Sequence, residues 1–351
     1  MSQPIVTIIV SPRERFSFTQ QNLESIYEHT TIPFSLIYVD GGSPTNTQRY
    51  LEGQAQERGF QLIRTEQYLA PNQARNLAIP YAETQYLLFI DNDVVVSPGW
   101  LNHLLLCAEE TNATIVCPLT CIGKNLHQTI HLAGGEAHIL EEETEAGIKR
   151  KVHEKHYFVN RPVADVSHQL QRQQCEFAEF HCMLVRTNIF QQIGLLDEAL
   201  LSTREHIDFC MTVTNAGGTV FCEPASVVTY VPELPFNLAD IAFFLLRWSD
   251  AWEISSLEHF SQKWHLPKKD RYFKKRYERL GHRRHQAFLK PLLHRLTLGL
   301  GSPKLEQWAK TLERSLNRWI TDRYTQRQSS LQIPYRIVNG EIITNHLTQA
   351  S

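Results

Sequence analysis

Residues 85–101 read QYLLFIDNDVVVSPGWL, and the fold turns on how that stretch is taken. The run YLLFI is apolar, short and followed by turn formers, which predicts a buried strand. It ends on Asp91, resumes after Asn92 and Asp93 with three valines, and breaks at Ser97-Pro98-Gly99. Acids at the exit of a buried strand need a reason. If the backbone stays extended through Asn92, Asp91 and Asp93 point to one side, because side chains two apart in a strand share a face. Two converging carboxylates repel each other unless something positive lies between them. A hard divalent cation, magnesium or manganese, meets that need: it takes oxygen ligands, with one or two carboxylates completed by water and phosphate oxygens. The Asp-Asn-Asp triplet is equally a turn former, since both residue types hydrogen-bond locally at strand exits.

Working upstream, the chain alternates. PIVTIIV (4–10) reads as a strand and the segment through Tyr27 as an amphipathic helix; SLIYVDGGS is a strand closed by a Gly-Gly turn. TNTQRYLEGQAQERG is helical, FQLIRTE a strand and PNQARNLAIPYA a helix, which leads into the opening stretch. Strand and helix in alternation predict a mostly parallel, open sheet flanked by helices, an α/β fold. In such sheets ligands gather at the carboxyl ends of the strands, where Asp40 and Asp91 both fall.

Downstream the rhythm changes. GWLNHLLLCAEE is helical and ATIVCPL strand-like, while residues 121–174, with the acidic run EEETEAG, read as loops and short strands. EFAEFHCMLVRTNIFQQIGLLDE gives a strand and a helix. REHIDFCMTVTNAGGTVFCEPASVVTYV gives a helix stopped by Gly217-Gly218, then strands. After Pro235 the chain turns helix-rich and basic, so residues 1–235 are expected to form the α/β domain and residues 236–351 a helical C-terminal region and tail.

Composition sets outer bounds. Against 37 acidic side chains stand 35 basic ones, a formal charge of -2, so overall electrostatics point to no nucleic acid. The seven cysteines, without a CxxC pair, read as small core residues in a reducing compartment. No signal peptide and no membrane-spanning run is expected; a cytoplasmic protein, peripheral at most on the inner face of the membrane, is the reading.

The succession VTIIV, IYVDGGS, NQARNLAI and YLLFIDNDVVVSPGWL resembles the N-terminal half of family 2 glycosyltransferases with the GT-A fold. The resemblance implies a nucleotide-diphospho-sugar transferase-like fold and an inverting transfer, of hexosyl type, from a nucleotide-diphosphate sugar to a hydroxyl acceptor, glycan, lipid-linked or other. It implies donor binding by Asp40, Arg75, Asn76, Asp91 and Asp93. Of these, Asp91 and Asp93 form a DxD motif that holds Mn2+ or Mg2+. The glycine pair of HLAGGE (131–136) and the stretch HCMLVRTNIFQQIGLLDEAL resemble later parts of the same family. The family's acidic pair at a helix head falls on Glu205, His206, Ile207 and Asp208, with the second acid replaced by histidine. A base needs hydrogen-bond reach and a suitable pKa, which Glu205 or His206 both satisfy, with Asp208 as an orienting acid. Where many relatives have a metal-binding histidine this chain has Tyr230; His131 and His181 are candidates to compensate.

Two rivals share these motifs: a sugar nucleotidyltransferase, although SPRERFSFT lacks the glycines its triphosphate loop needs, and a non-catalytic GT-A-like module that binds a sugar or partner. The stretch 263–295 interleaves Lys and Arg with Trp264, Tyr272, Phe273, Tyr277 and Phe288. It fits peripheral contact with an anionic membrane, an acidic glycan or nucleic-acid contact, or a helical face whose aromatics pack on the first domain.

Overall fold

Strand β1 (Val6–Ser11) is buried at every position, as a central parallel strand covered on both faces must be. The chain continues through α1 (Thr19–His29), β2 (Ser35–Gly41), α2 (Thr45–Arg58), β3 (Gln61–Thr65) and α3 (Pro71–Ala78) to β4 (Tyr86–Asp91). Then follow β5 (Val94–Val96), α4 (Trp100–Thr111), β6 (Ile115–Ile122) and β7 (Ile130–Leu132). This computed structural model describes residues 3–145, 147–232, 237–268, 270–297, 302–328 and 335–339. The boundary expected at 235 and the tail from 340 lie outside the described residues.

Strands β1, β2, β3 and β4 are mutually parallel, in the order β3-β2-β1-β4. The order reverses at β1, which opens a crevice beyond the carboxyl ends of β1 and β4, where Ser11 lies in register with Asp91. Beyond β4 the sheet is mixed. The next elements are β8 (Gly135–Thr144), β9 (Gly147–His156), α5 (Val163–Val166), β10 (Gln173–Cys175) and β11 (Cys182–Arg186). After them come α6 (Ile189–Ile193), α7 (Glu205–Asn215) and β12 (Val220–Tyr230). β11 runs antiparallel between β4 and β6, so its first residues meet the carboxyl end of β4. β12 is parallel to β6 and carries a bulge between Glu223 and Val227. Apolar clusters lie on both faces of the sheet, one around Phe89, Phe180 and Met183, the other around Tyr38, Leu88 and Trp100. Each such side chain, fully buried, contributes about 1.5–3 kcal/mol.

Two expectations are corrected. Asp91 and Asp93 do not lie on one extended strand: β4 ends at Asp91, Asn92 and Asp93 form a turn, and β5 leaves to pair with β12. Two segments hold the turn: in the β1–α1 connection Arg15 O accepts from the Asn92 side chain (2.6 Å) and Arg13 N donates to it (3.1 Å), and after β12 Val231 N donates to Asp93 O (3.0 Å). The segment 121–174 is also more regular than its composition suggests. β8 and β9 form a hairpin of ten-residue strands, and the acidic run pairs across it, Glu141 with Arg150 and Glu142 with Lys151. At its root Gly134 has a left-handed φ of 78°, and a side chain on Gly135 would collide with the Phe177 ring and the Lys155 carbonyl. That close approach gives the glycine pair its structural reason.

The C-terminal region is helical. It comprises α8 (Ile241–Arg247), α9 (Asp250–Lys263), α10 (Arg271–Glu278), α11 (His282–Arg284), a π turn, α12 (Lys290–Leu296) and α13 (Pro303–Gln328). A last strand, β13 (Tyr335–Val338), returns to pair antiparallel with β3 and closes that sheet edge. Among the described residues no helix is long and apolar enough to cross a membrane.

Candidate functional site

The crevice between β1 and β4 gathers charge from several distant segments. Asp91, at the end of β4, is buried between Arg13 (3.1 Å), Arg75 of α3 (3.0 Å) and His181 (3.3 Å), just ahead of β11. Burial pushes its carboxyl up, but the hydrogen bond from His181 and the charges of Arg75 and Arg13 prevail and hold it below the usual carboxylate range. Arg75 also stacks on Phe180, its guanidinium 3.9 Å from the ring centroid.

Asp93 is the opposite case. It is buried, and neither carboxylate oxygen has a hydrogen-bond partner. Burial pushes its carboxyl well up, opposed by Arg13 and reinforced by Glu14 and Asp91. Such an orphan costs roughly 1–3 kcal/mol or more unless something fills the gap. Ligand atoms of Asp91, Asp93 and His181 all lie within 4.8 Å of one another, and so do those of His131, Glu179 and His181. Two carboxylates and an imidazole kept neutral by burial and by Arg13 are a suitable donor set for a divalent cation. The three therefore converge despite the turn at Asn92, because β11 and not strand periodicity supplies the third group.

The other expected site residues divide. Asp40, at the end of β2, is buried and already engaged by Arg64, by Ser43 N (3.0 Å) and by Ser43 Oγ (2.9 Å). Asn76 spends its amide on protein: it donates to Leu196 O (2.8 Å) and Glu198 (2.9 Å) and accepts from Leu196 N (3.0 Å), which fixes the GLLDE loop. Glu205 opens α7. Its Oε1 lies 3.4 Å from Arg247, and its buried Oε2 has no partner. Arg204 just before it adopts φ 74°, a strained conformation for a residue with a side chain, held by Glu154 (2.7 Å) and the Tyr272 hydroxyl (2.6 Å). His206 faces Glu179 at 4.0 Å, its imidazole pushed down by burial. Asp208 turns away from the crevice and accepts from Lys263 (2.7 Å) and the Trp264 indole (2.8 Å). Tyr230 donates to Glu14 (2.8 Å), and its ring lies under Arg13 at 4.4 Å.

Several residues of this site carry no signal that sequence reasoning used. Glu14 is buried, accepts from Tyr230, Trp248 (2.8 Å) and Arg283 (2.7 Å), and is held below the usual range by Arg283 and Arg13 against burial. Glu179 is set among His131, His181 and His206. For Arg13 and Glu14 a usable signal existed: PRER is a charged run at the exit of β1, the strand where the sheet order reverses. Glu179 offers none, since its neighbours arrive from β7, α7 and its own segment.

Part of the basic stretch 263–295 is turned inward. Trp264 binds Asp208, Phe273 is fully buried, and Tyr272 and Arg276 both reach Glu154 of β9 at 2.7 Å. Arg283 binds Glu14, and Arg284 binds Asp250 (2.8 Å) and Glu313 (2.7 Å). Trp264, Tyr272, Arg276 and Arg283 thus brace the first region, whereas Arg284 and Phe288 pack within the C-terminal helices.

Comparison with known proteins bears on the family and the fold. The family described as glycosyl transferase family 2 matches residues 7–194. No curated protein matches the chain. Among solved structures, GalNAc-T7 with UDP, GalNAc and Mn2+ is 15% identical with a TM-score of 0.51, covering 80% of this chain and 56% of that one. The chain thus spans little more than half of that relative. Staphylococcus aureus TarS 1-349 with UDP-GlcNAc is 13% identical at TM-score 0.45, covering 93% of this chain and 92% of that one. The mannosyltransferase PcManGT from Pyrobaculum calidifontis, with GDP-Man and Mn2+, is 13% identical at TM-score 0.47, covering 92% and 84%. The likeness to GalNAc-T7 supports a GT-A type sheet with a helical C-terminal region; the other two superpose too loosely to bear on it.

Proposed function

The chain belongs to glycosyl transferase family 2, and from that premise we propose that it moves a hexosyl group from a nucleotide-diphosphate sugar to an acceptor hydroxyl by single displacement with inversion. The observation that carries this reading is the buried Asp93 carboxylate, unpaired on both oxygens beside Asp91 and His181. A buried carboxylate unpaired on both oxygens calls for an explanation, and a bound ion supplies one. Asp91, Asp93 and His181 would hold Mn2+ or Mg2+, which when bound supplies charge stabilisation at the leaving diphosphate.

The chain's own residues do the rest. Arg13 and Arg75 place positive charge at the mouth of the crevice, where negative charge grows as the anomeric carbon parts from the diphosphate oxygen. The acceptor oxygen forms the new bond to that carbon, and its proton passes to a base. Glu205 is the first choice, because its free Oε2 is buried at the head of α7; His206, beside Glu179, is the second. Asp208, turned toward α9, is assigned to positioning. Residues 1–235 then carry donor binding and transfer, and residues 236–351 brace α7 through Arg247, Lys263 and Trp264. The seven buried, unpaired thiols fit a reducing compartment, and we place the reaction in the cytoplasm.

The test is a thermal-shift panel of UDP and GDP sugars with and without Mn2+, followed by donor hydrolysis. Stabilisation by one donor that needs the cation, with slow release of free sugar, is expected. If no nucleotide sugar stabilises the protein with Mn2+ present, the transferase reading falls and the binding-module reading replaces it.

A further inference from the structure

We infer that the outer face of α12 and α13 docks on an anionic lipid bilayer. A surface helix normally turns its apolar stripe inward and its polar face to water. α13 does the reverse. Ala309, Glu313, Asn317 and Thr321, spaced by four, form its buried side, where Glu313 binds Arg284 and His285 (both 2.7 Å) and Asn317 donates to Leu245 O (3.2 Å). Along one flank of that side Leu305, Leu312, Leu316 and Ile320 are exposed, and Trp308, farther round the helix, is exposed to 63%.

The face continues beyond the helix. Leu292 and Leu296 of α12 are exposed, and so is Leu238, at 84%. Between these elements runs an almost wholly apolar groove of about 770 Å³, lined by Leu238, Leu245, Phe288, Leu292, Leu316 and Ile320. An apolar surface of this extent, gathered on one side, marks an interaction site.

Charge selects the occupant. Lys290, His294 and Arg295 of α12 and Lys304 of α13 are exposed around the apolar face, while Arg318 is turned toward Asp250 (4.0 Å), and α12 has no acid. On α13 Glu306 is neutralised by Lys310 (2.6 Å) and Glu313 is turned inward, which leaves Asp322 as the exposed acid. A second copy would bring two basic rims together. Anionic headgroups would instead meet the rim while the leucines enter the acyl boundary and Trp308 sits at headgroup level. Each basic side chain near such a surface strengthens binding by about fivefold.

The full chain would be sedimented with phosphatidylcholine vesicles with and without phosphatidylglycerol, at low and high salt. Binding to the anionic vesicles alone, weakened by salt, is expected. The double variant Trp308→Ser and Leu312→Ser should bind at least about tenfold less. The charge variant Lys290→Glu, Arg295→Glu and Lys304→Glu should bind roughly 100-fold less. Circular dichroism checks the fold, and should the apolar variant unfold, the charge variant decides. Wild-type protein that ignores anionic vesicles at low salt overturns the inference. So does a charge variant that binds as wild type, or a wild-type dimer that Trp308→Ser dissociates, which would put a second copy on this face. Vesicle binding needs neither donor nor cation, so it can fail while the transfer reaction stands.

Discussion

The crevice at the ends of β1 and β4 and the outer face of α13 break the same rule in opposite directions. In the crevice an unpaired carboxylate, Asp93, is buried; on α13 leucines and Trp308 are left in water. Close by, the same groups obey the rule: the buried acid Asp40 is fully paired, and the residues of β1 and β4 are covered. Departures kept at a cost point to ligands, and their sign indicates the kind: a cation for the stranded acid, an apolar phase for the stranded leucines.

The largest expected effect tests the first departure. Asp93→Asn should lower transfer by about 10⁴-fold and remove cation-dependent nucleotide binding. Without cation and above about pH 8, where the Asp93 carboxyl is ionised, the same variant should unfold at a higher temperature than wild type, because the uncompensated charge is gone. A variant as active as wild type would leave the buried acid without a role. Next is the base: Glu205→Gln should reduce turnover about 10³-fold with donor affinity unchanged in a calorimetric titration, and a larger loss in His206→Ala would transfer the role.

The paired acids should respond through stability. Glu14→Ala leaves Arg283 and Arg13 without their shared acid and should destabilise the protein by roughly 3 kcal/mol in a urea titration. Little change there would mean that the paired and unpaired acids do not differ as described. The smallest effect lies in α9, where burial pushes the Glu253 carboxyl up to about 7, with the Gly281 N–H and the Arg284 charge opposing. A raised carboxyl binds its proton more tightly in the folded state, so its contribution is fully present below the usual carboxylate pKa and is lost as pH rises toward 7. Glu253→Gln should therefore gain roughly 3 kcal/mol over wild type near pH 8 and nothing near pH 4. A pH-independent difference would show that Glu253 is not the titrating group.

Legibility followed the range of the interactions. The strands and helices through β4, and α7, were readable because period and turn residues act over a few positions. The hairpin β8–β9 was hidden: it is a sheet of its own whose polar strands pair by charge, so no apolar alternation marks it. Asn76 and Asp208 were singled out by the family resemblance, yet their partners Leu196 and Lys263 lie far along the chain. The aromatics of 263–295 drew attention as a surface feature, whereas the exposed apolar face formed from the leucines of α12, at the end of that stretch, and from α13.

By itself the sequence determined the alternating α/β order, the acids at the exit of β4 and the helical character of the last third, since each is written in neighbouring residues. Tertiary structure alone decided that His181 joins Asp91 and Asp93, that Glu14 collects Tyr230, Trp248 and Arg283, and which side of α13 faces out. The physical reason is that burial and pairing depend on which strands and helices become neighbours. That outcome is set by the sum of many long-range contacts and is recorded at no single position in the chain.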